Sequence, residues 1–224
     1  IFTLADSIFQ IALQLSELGL ETGVMRFVSK GLRGRDTEAT ERVLKAVFVA
    51  KLLTGAVVFS LGWIYAPLIA SAILRRPEMT HYLRIALVGI FGMHLSGFYQ
   101  AYFSARLEFA RNALFNLLTP VAIFLAVLAA HLAGRLDVLM CLRIYAVTPA
   151  LVCLAALVVL PHDFLERKTG FGAIRSVWRF SRWIYVTNTL GEVRFRMSSI
   201  LLARLATDVE LGLYGFGDKL AATL

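Results

Sequence analysis

The sequence has few charged residues and almost no cysteine. Only 17% of its 224 residues are charged, whereas ordinary soluble domains have about 25%. This number of polar groups is too small to cover the apolar surface of a soluble domain. The composition therefore excludes a cytosolic enzyme and a secreted disulfide scaffold. The two cysteines, Cys141 and Cys153, lie in one apolar run. They are predicted to be buried free thiols.

Catalytic and metal-binding motifs are also missing. The sequence has no Cys-x-x-Cys pair, nucleophile elbow or phosphate-binding loop. Its four histidines lie in separate loops or helices without metal-ligand spacing: His81, His94, His131 and His162. We therefore expect a protein that is not an enzyme and that has no cofactor and no metal site.

Basic residues outnumber acidic ones, and the net charge is +8. These residues separate apolar runs and do not form a patch with interleaved aromatic side chains, so no nucleic-acid partner is expected. Membrane topology explains them better, and membrane lipids are the expected surroundings.

Hydrophobic residues make up 58% of the chain and form long runs. A helix needs an apolar run of about 20 residues to cross a membrane. The expected fold is an all-α integral membrane protein with about six transmembrane helices and the start of a seventh. Because the chain begins at Ile1 within a helical pattern, we expect it to be a fragment of a longer protein. The segments are A (1–28), B (43–65, extended to 74), C (82–105), D (113–132), E (138–160), F (180–206) and a tail (211–224).

The distribution of lysine and arginine predicts the orientation of these segments. Thirteen lie in or beside the A/B, C/D and E/F linkers, and five lie in or beside the other two. Short cytoplasmic loops retain positive charge. Loops 30–42, 106–112 and 161–179 are therefore predicted to be cytoplasmic.

Segment A carries a polar stripe. Its polar residues fall within an arc of about 80° on a helix of 3.6 residues per turn. Carboxylates at membrane depth are costly and normally face a bundle interior or a wet cavity, so the stripe predicts a cavity wall. The alternative is an interfacial amphipathic helix, but the length of the segment and its lack of a basic polar face argue against it. The stripe consists of Thr3, Asp6, Gln10, Gln14, Glu17 and Glu21.

Segment F carries a second stripe on one face. Arg196 lies well inside the segment, where its guanidinium needs a carboxylate, a wet cavity or an anionic ligand. The alternative is a pair with Glu192, one turn away, that only neutralises itself. At about 1.5 Å per residue, Arg196 is predicted to lie about 24 Å from the cytoplasmic end, near the level of Gln10 and Gln14. The stripe consists of Asn188, Glu192, Arg196 and Ser199.

Two other features outside the stripes carry predictions. Lys51 lies early in segment B and is expected to extend its amine to the inner membrane interface. Gly19 and Gly23 are spaced for a close contact between helices.

A short internal repeat predicts two helical bundles. Residues 214–220 align with residues 2–8, matching aromatic, apolar, small, acidic and aliphatic positions. A repeat after six further helices is typical of transporters built from two bundles. We expect residues 1–161 to belong to the N-terminal lobe, 162–179 to be a cytoplasmic linker, and 180–224 to begin the C-terminal lobe.

Several degenerate motifs carry a family resemblance by their order and spacing. They are Glu17-Leu-Gly-Leu20, Arg26-Phe-Val-Ser29, Ser104-Ala-Arg-Leu-Glu-Phe-Ala-Arg111, Ile200-Leu-Leu-Ala203, Glu210-Leu-Gly-Leu-Tyr214 and Lys219-Leu220. With them the chain resembles the polysaccharide flippases of the multidrug, oligosaccharidyl-lipid and polysaccharide exporter superfamily. The resemblance implies twelve or fourteen helices in two lobes around a central cavity, with segments A and F among the helices that line it. Ser198 and Ser199 stand where many relatives carry an acidic residue.

The resemblance implies a function in the bacterial inner membrane. We expect a flippase that moves a polyprenyl-diphosphate-linked oligosaccharide outward by alternating access, for surface polysaccharides such as the O-antigen of lipopolysaccharide. Amides, carboxylates and Arg196 suit such a substrate, because sugars need hydrogen bonds and a diphosphate needs cations. Other polysaccharide assembly proteins are further expected partners. The alternative is a cation-coupled multidrug exporter of the same fold.

Overall fold

The regular structure of this computed structural model is helical throughout the described residues, which are 2–34, 36–159, 163–166 and 171–221. This confirms the all-α prediction. A π-helical stretch, Ile69–Ile73, extends α3, and a 3₁₀ turn, Asp163–Glu166, precedes α7. The helices are α1 (Phe2–Glu17), α2 (Leu20–Arg33), α3 (Thr37–Leu68), α4 (Met79–Ala105), α5 (Phe109–Leu132), α6 (Val138–Val159), α7 (Phe171–Leu205) and α8 (Asp208–Ala221).

Four helical stretches are long and apolar enough to cross a membrane. They correspond to predicted segments B to E and identify an all-α membrane protein. Helix α1 has 16 residues and α7 carries the polar stripe, so a membrane crossing by segments A and F stays a prediction. The four stretches are Thr37–Ile73, Met79–Ala105, Phe109–Leu132 and Val138–Val158.

Segment A is interrupted, so the prediction of one continuous helix is wrong. Leu18 and Gly19 have φ angles of 51° and 66° and separate α1 from α2. Glycine adopts this left-handed conformation without the steric cost of a Cβ atom. Gly19 also lies close to α7, where an added Cβ would be 3.1 Å from the carbonyl oxygen of Ser181. The break separates Glu21 from the rest of the stripe in segment A.

Several predicted loops are shorter than expected. Helix α2 continues to Arg33 and α3 begins at Thr37, so most of 30–42 is helical. Asp36 caps α3, its carboxylate accepting a hydrogen bond from the backbone N–H of Ala39 at 2.9 Å. Likewise, α5 begins at Phe109 and α7 begins at Phe171, so helix extends into 106–112 and into 162–179. Residues 160–162 and 167–170 of the last linker lie outside the described part of the chain.

Two hydrogen bonds bring the three basic linkers to one end of the bundle. Ser29 near the end of α2 donates to the carbonyl oxygen of Ala105 at the end of α4, at 3.2 Å. Lys45 near the start of α3 donates to the carbonyl oxygen of Leu165 at 2.6 Å. A shared end is the arrangement that the charge pattern predicts.

Helix α4 lies at the centre of the fold. Two of its glycines allow α6 to approach closely: an added Cβ at Gly92 would be 2.3 Å from the backbone nitrogen of Ala150, and one at Gly89 would be 3.0 Å from Cα of Ala146. Aromatic side chains of α4 form the core at the end nearer the basic linkers, with Phe48, Phe98, Tyr99, Tyr102, Phe115 and Phe164. Helices α1 and α7 pack beside this centre and bring the polar stripes together.

The two cysteines are free thiols, as predicted. Cys153 is buried in the core next to α4, whereas Cys141 is only half-buried. The prediction that both are buried is therefore correct for Cys153 alone.

Candidate functional site

Helices α1 and α7 run antiparallel and place the two polar stripes face to face. The Tyr185 hydroxyl donates to the carbonyl oxygen of Leu15 at 3.2 Å. At Gly23 on α2, an added Cβ would be 2.3 Å from Cγ1 of Val177. The predicted close contact at Gly19 and Gly23 is thus a contact with α7. Along this interface, later residues of α7 meet earlier residues of α1.

Arg196 lies between carboxylates of two helices. Its Nε donates to Oε1 of Glu192 at 2.7 Å, and its Nη1 is 3.7 Å from Oδ2 of Asp6. Gln10 Nε2 donates to Oδ1 of Asp6 at 3.4 Å. We call Asp6, Gln10, Glu192 and Arg196 the Arg196 cluster. Arg196 therefore has both expected kinds of partner: Glu192 on its own helix and a carboxylate from another helix, Asp6.

The level of Arg196 differs from the prediction. Its guanidinium faces Asp6, about one turn beyond Gln10 and two beyond Gln14. The predicted level is therefore about one turn off, and Gln10 still donates to the same Asp6 carboxylate. Glu192 is within electrostatic range of Glu17.

The remaining stripe residues lie outside the Arg196 cluster. Gln14 and Glu17 are half-buried on the same helix. Ser199 is buried, whereas Asn188 is exposed and makes no hydrogen bond with the cluster within the described part of the chain. The side chain of Thr3 is outside the described residues.

Tyr145 on α6 belongs to the surroundings of the cluster, and sequence reasoning missed it. It is within electrostatic range of both Asp6 and Arg196. A small cavity beside Asp6 is lined by Tyr145 together with Phe9 and Leu142. Tyr145 occupies an apolar run and shows no polar periodicity, so the sequence carried no signal for it.

A second charged cluster lies beyond the helix break. Glu21 Oε1 is 2.5 Å from Lys51 Nζ, which also donates to the carbonyl oxygen of His94 at 2.8 Å. The Lys51 side chain is 0% exposed, so the prediction that it reaches the membrane interface is wrong. The absence of a side chain at Gly97 makes room for Glu21, because an added Cβ would be 1.7 Å from Oε1. We call Glu21, Lys51 and His94 the Lys51 cluster.

Both ring nitrogens of His94 have partners. Nδ1 is 3.1 Å from Ser16 Oγ, and Nε2 is 3.1 Å from Thr54 Oγ1. Each of these hydroxyls also donates to a backbone carbonyl oxygen of its own helix: Ser16 to Leu13 at 2.6 Å and Thr54 to Lys51 at 3.2 Å. The ring thereby joins α1, α3 and α4.

Residues 4–224 match the sequence profile of a family described as polysaccharide biosynthesis protein. The chain belongs to the polysaccharide biosynthesis protein family. This confirms the resemblance drawn from the sequence motifs and supports a role in polysaccharide biosynthesis. Searches of curated proteins and of solved structures returned no significant match.

In this polysaccharide biosynthesis protein, the Arg196 cluster has the chemistry of an anion site that is occupied by the protein's own carboxylates. A guanidinium binds carboxylates and phosphates by the same fork of N–H donors. The long distance to Asp6 leaves one side of that fork weakly held. Among the described residues, no group of three His, Cys, Asp or Glu side chains could hold a metal ion.

Proposed function

We propose that this chain is part of a transporter that moves a lipid-linked oligosaccharide from the inner to the outer leaflet of the bacterial inner membrane by alternating access. The family, the four membrane-length helices and the polar face between α1 and α7 support this proposal. The observation that carries it is Arg196, which is partly exposed and held by carboxylates on two helices.

The exchange of partners at Arg196 supplies a mechanism. A diphosphate carries more negative charge than one carboxylate and forms two parallel hydrogen bonds with a guanidinium. It would displace Asp6 first, because that pair is longer than the pair with Glu192. After release, Asp6 returns, so the arginine is not left unpaired inside the membrane between transport steps.

The amides of segment A would serve the sugar part of the substrate. Gln10 and Gln14 lie on the α1 face that carries Asp6. Each amide offers two N–H donors and an acceptor oxygen, which match the hydroxyl groups of a sugar. These groups hydrogen-bond to sugars generally and so do not select one glycan.

A substitution series at Arg196 tests the proposal. In a strain whose own copy of the gene is deleted, Arg196→Ala should abolish surface polysaccharide and Arg196→Lys should restore part of it, because lysine keeps the charge but loses the fork. Arg194→Ala is the matched control, since Arg194 is exposed on the same helix two residues away. Full restoration by Arg196→Ala at normal abundance would contradict the proposal.

The cavity beside Asp6 favours a second candidate function. It places Phe9 and Tyr145 next to a carboxylate, a combination that attracts cations. Its volume is only about 10 Å³, so a cation-coupled multidrug exporter would use it for the coupling cation and would bind the drug elsewhere. Deletion of the gene would then sensitise cells to cationic drugs and leave surface polysaccharide unchanged, the opposite of the result expected for a flippase.

The cytoplasmic position of the basic linkers belongs to the same proposal. In a cysteine-free background, a cysteine at Gly34 should be protected from a membrane-impermeant thiol reagent added to whole cells. A cysteine at Glu78, an exposed residue of the α3–α4 connection, should react. The reverse pattern would contradict the orientation.

A further inference from the structure

An apolar cleft lies between α5 and α6 at the end of the fold that carries the basic linkers. Its volume is about 310 Å³, and the buried side chains of Phe103, Phe115 and Val152 line it. Ala155 of α6 also lines the cleft and is exposed, so the cleft is open to the surroundings of the bundle. Among the described lining residues, Arg111 is the only polar one, and it lies in the first turn of α5.

The turn between α4 and α5 carries a net positive charge. Nε of Arg106 is 3.1 Å from Oε1 of Glu108, and Nη1 of Arg111 donates to Oε2 of Glu108 at 2.9 Å. Two guanidinium groups therefore share one carboxylate, which leaves one positive charge uncompensated. The Arg111 side chain is 68% exposed, and a guanidinium has five N–H donors, so Arg111 can bind a phosphate and still keep Glu108.

Exposed apolar side chains place this turn at the surface of the membrane. Leu107 and Phe109 flank Glu108 in the sequence and are 71% and 66% exposed. Apolar side chains next to arginines, at the end of a membrane-length helix, are typical of the interface between headgroups and acyl chains. Helix α5 is described throughout, and only Phe115 and Ala130 are buried in it. Most of this helix therefore faces the membrane.

We propose that the cleft binds an anionic phospholipid of the cytoplasmic leaflet, with the lipid phosphate on Arg111 and an acyl chain against Phe103 and Phe115. Basic pockets between membrane helices on the cytoplasmic side bind anionic headgroups in this way. From Arg111 to Leu118 the cleft extends about 10 Å along α5, which is less than the roughly 15 Å of hydrocarbon in one leaflet. An acyl chain therefore covers the cleft along its whole length. This site goes beyond the proposed function, because it concerns a lipid of the membrane and not the transported molecule.

The charge at the turn determines which lipid fits. The phosphate of an anionic phospholipid compensates the remaining positive charge, whereas a zwitterionic lipid would bring its own cation close to the two arginines. A free phosphate would leave the aromatic side chains of the cleft uncovered. The choice of leaflet follows from the predicted cytoplasmic position of loop 106–112.

Photocrosslinking tests the inference. The purified full-length protein is placed in phosphatidylcholine nanodiscs that contain a small fraction of phosphatidylglycerol with a diazirine in one acyl chain, and the labelled residues are mapped by mass spectrometry. Labels should fall on residues 114–118 and 152–156. Arg111→Gln should reduce them by about fivefold, the effect of one basic residue on the binding of an anionic lipid. Arg42→Gln is the matched control, because Arg42 is also an exposed arginine paired with a nearby glutamate but lies outside the cleft.

A second pair of variants fills the cleft without changing its charge. Ala155→Phe should also reduce labelling, whereas Leu154→Phe should not, because Leu154 is exposed and lies outside the lining. Unlabelled phosphatidylglycerol should compete, glycerol phosphate should not, and phosphatidylcholine with the same diazirine should label these residues more weakly. Equal labelling by the two lipids, competition by glycerol phosphate, or labelling that persists in both Arg111→Gln and Ala155→Phe would overturn the inference. Labelling needs no transport, so these outcomes are independent of the flippase proposal.

Discussion

The Lys51 and Arg196 clusters use similar groups in different surroundings. Each contains a cation hydrogen-bonded to one glutamate, with a second carboxylate nearby: Glu17 for Lys51 and Asp6 for Arg196. The Lys51 side chain is 0% exposed, whereas that of Arg196 is 20% exposed. The second hydrogen bond of Lys51 goes to a backbone carbonyl, which cannot move away without unfolding α4.

The difference shows how one type of ion pair can serve structure or function. A fully buried cation with a fixed backbone partner holds helices together, because any change leaves a charge unpaired in a medium of low dielectric constant. A cation at an open interface, with one partner at 3.7 Å, can exchange that partner for a ligand. The two clusters should therefore respond differently to substitution.

The largest expected effect is the loss of stability in Lys51→Ala. This change leaves Glu21 without its cation. Breaking a buried pair costs about 3–5 kcal/mol, and because the Glu21 side chain is 29% exposed we expect the lower end of that range. The free energy of unfolding in detergent micelles should fall by that amount, with a matching fall in folded yield. The double variant Lys51→Met with Glu21→Leu should recover most of the loss, since an apolar replacement leaves no unpaired charge. If Lys51→Ala has the same free energy of unfolding as the unsubstituted protein, Lys51 does not stabilise the fold.

The next effect is expected at Gly97, which makes room for Glu21. In Gly97→Ala the new Cβ would be 1.7 Å from Oε1 of Glu21, so the carboxylate must shift, and we expect its pair with Lys51 to weaken. Overpacking of this kind costs about 1–3 kcal/mol. Gly172→Ala is the control, because its Cβ would meet nothing within 4 Å. Equal melting temperatures for the two variants would contradict the assigned role of Gly97.

The sequence predicted the helices well and their contacts less well. Segments B to E are helical within a few residues of their predicted bounds because a long apolar run is a local signal. The break at Leu18 and Gly19 was missed, because Gly19 is constrained by Ser181 on a helix far along the chain. Hydropathy alone does not report such a contact.

The candidate site shows the same limit. The stripes predicted Asp6, Gln10, Glu192 and Arg196, since helical periodicity places polar residues on one face. The burial of Lys51 could not be predicted, because it depends on Glu21 and on the space at Gly97. A lysine near the end of an apolar segment ordinarily extends to the interface. Here a partner inside the bundle reverses that tendency.

A smaller effect, on transport rather than folding, is expected for Asp6→Asn. The Asp6–Arg196 pair is 3.7 Å long and Arg196 retains Glu192, so its loss should cost less stability than the loss of Lys51. Without the competing carboxylate, the diphosphate should bind more tightly and leave more slowly, reducing the transport rate several-fold. Binding of C55 prenyl diphosphate and surface polysaccharide would be measured together. A loss of folded yield as large as that of Lys51→Ala would remove the contrast between the clusters.

The smallest effect is expected for Gln10→Leu. This change removes an amide but leaves both charges of the Asp6–Arg196 ion pair in place. The Gln10 hydrogen bond to Asp6 is 3.4 Å long, so its loss should cost less than about 1 kcal/mol of stability. Transport should still fall measurably, because the amide is proposed to bind the sugar. Gln14→Leu is the comparison on the same face, one turn away and outside the Arg196 cluster. If surface polysaccharide and membrane abundance fall in equal proportion in both variants, the amides serve folding, and the α1 face is not a sugar-binding surface.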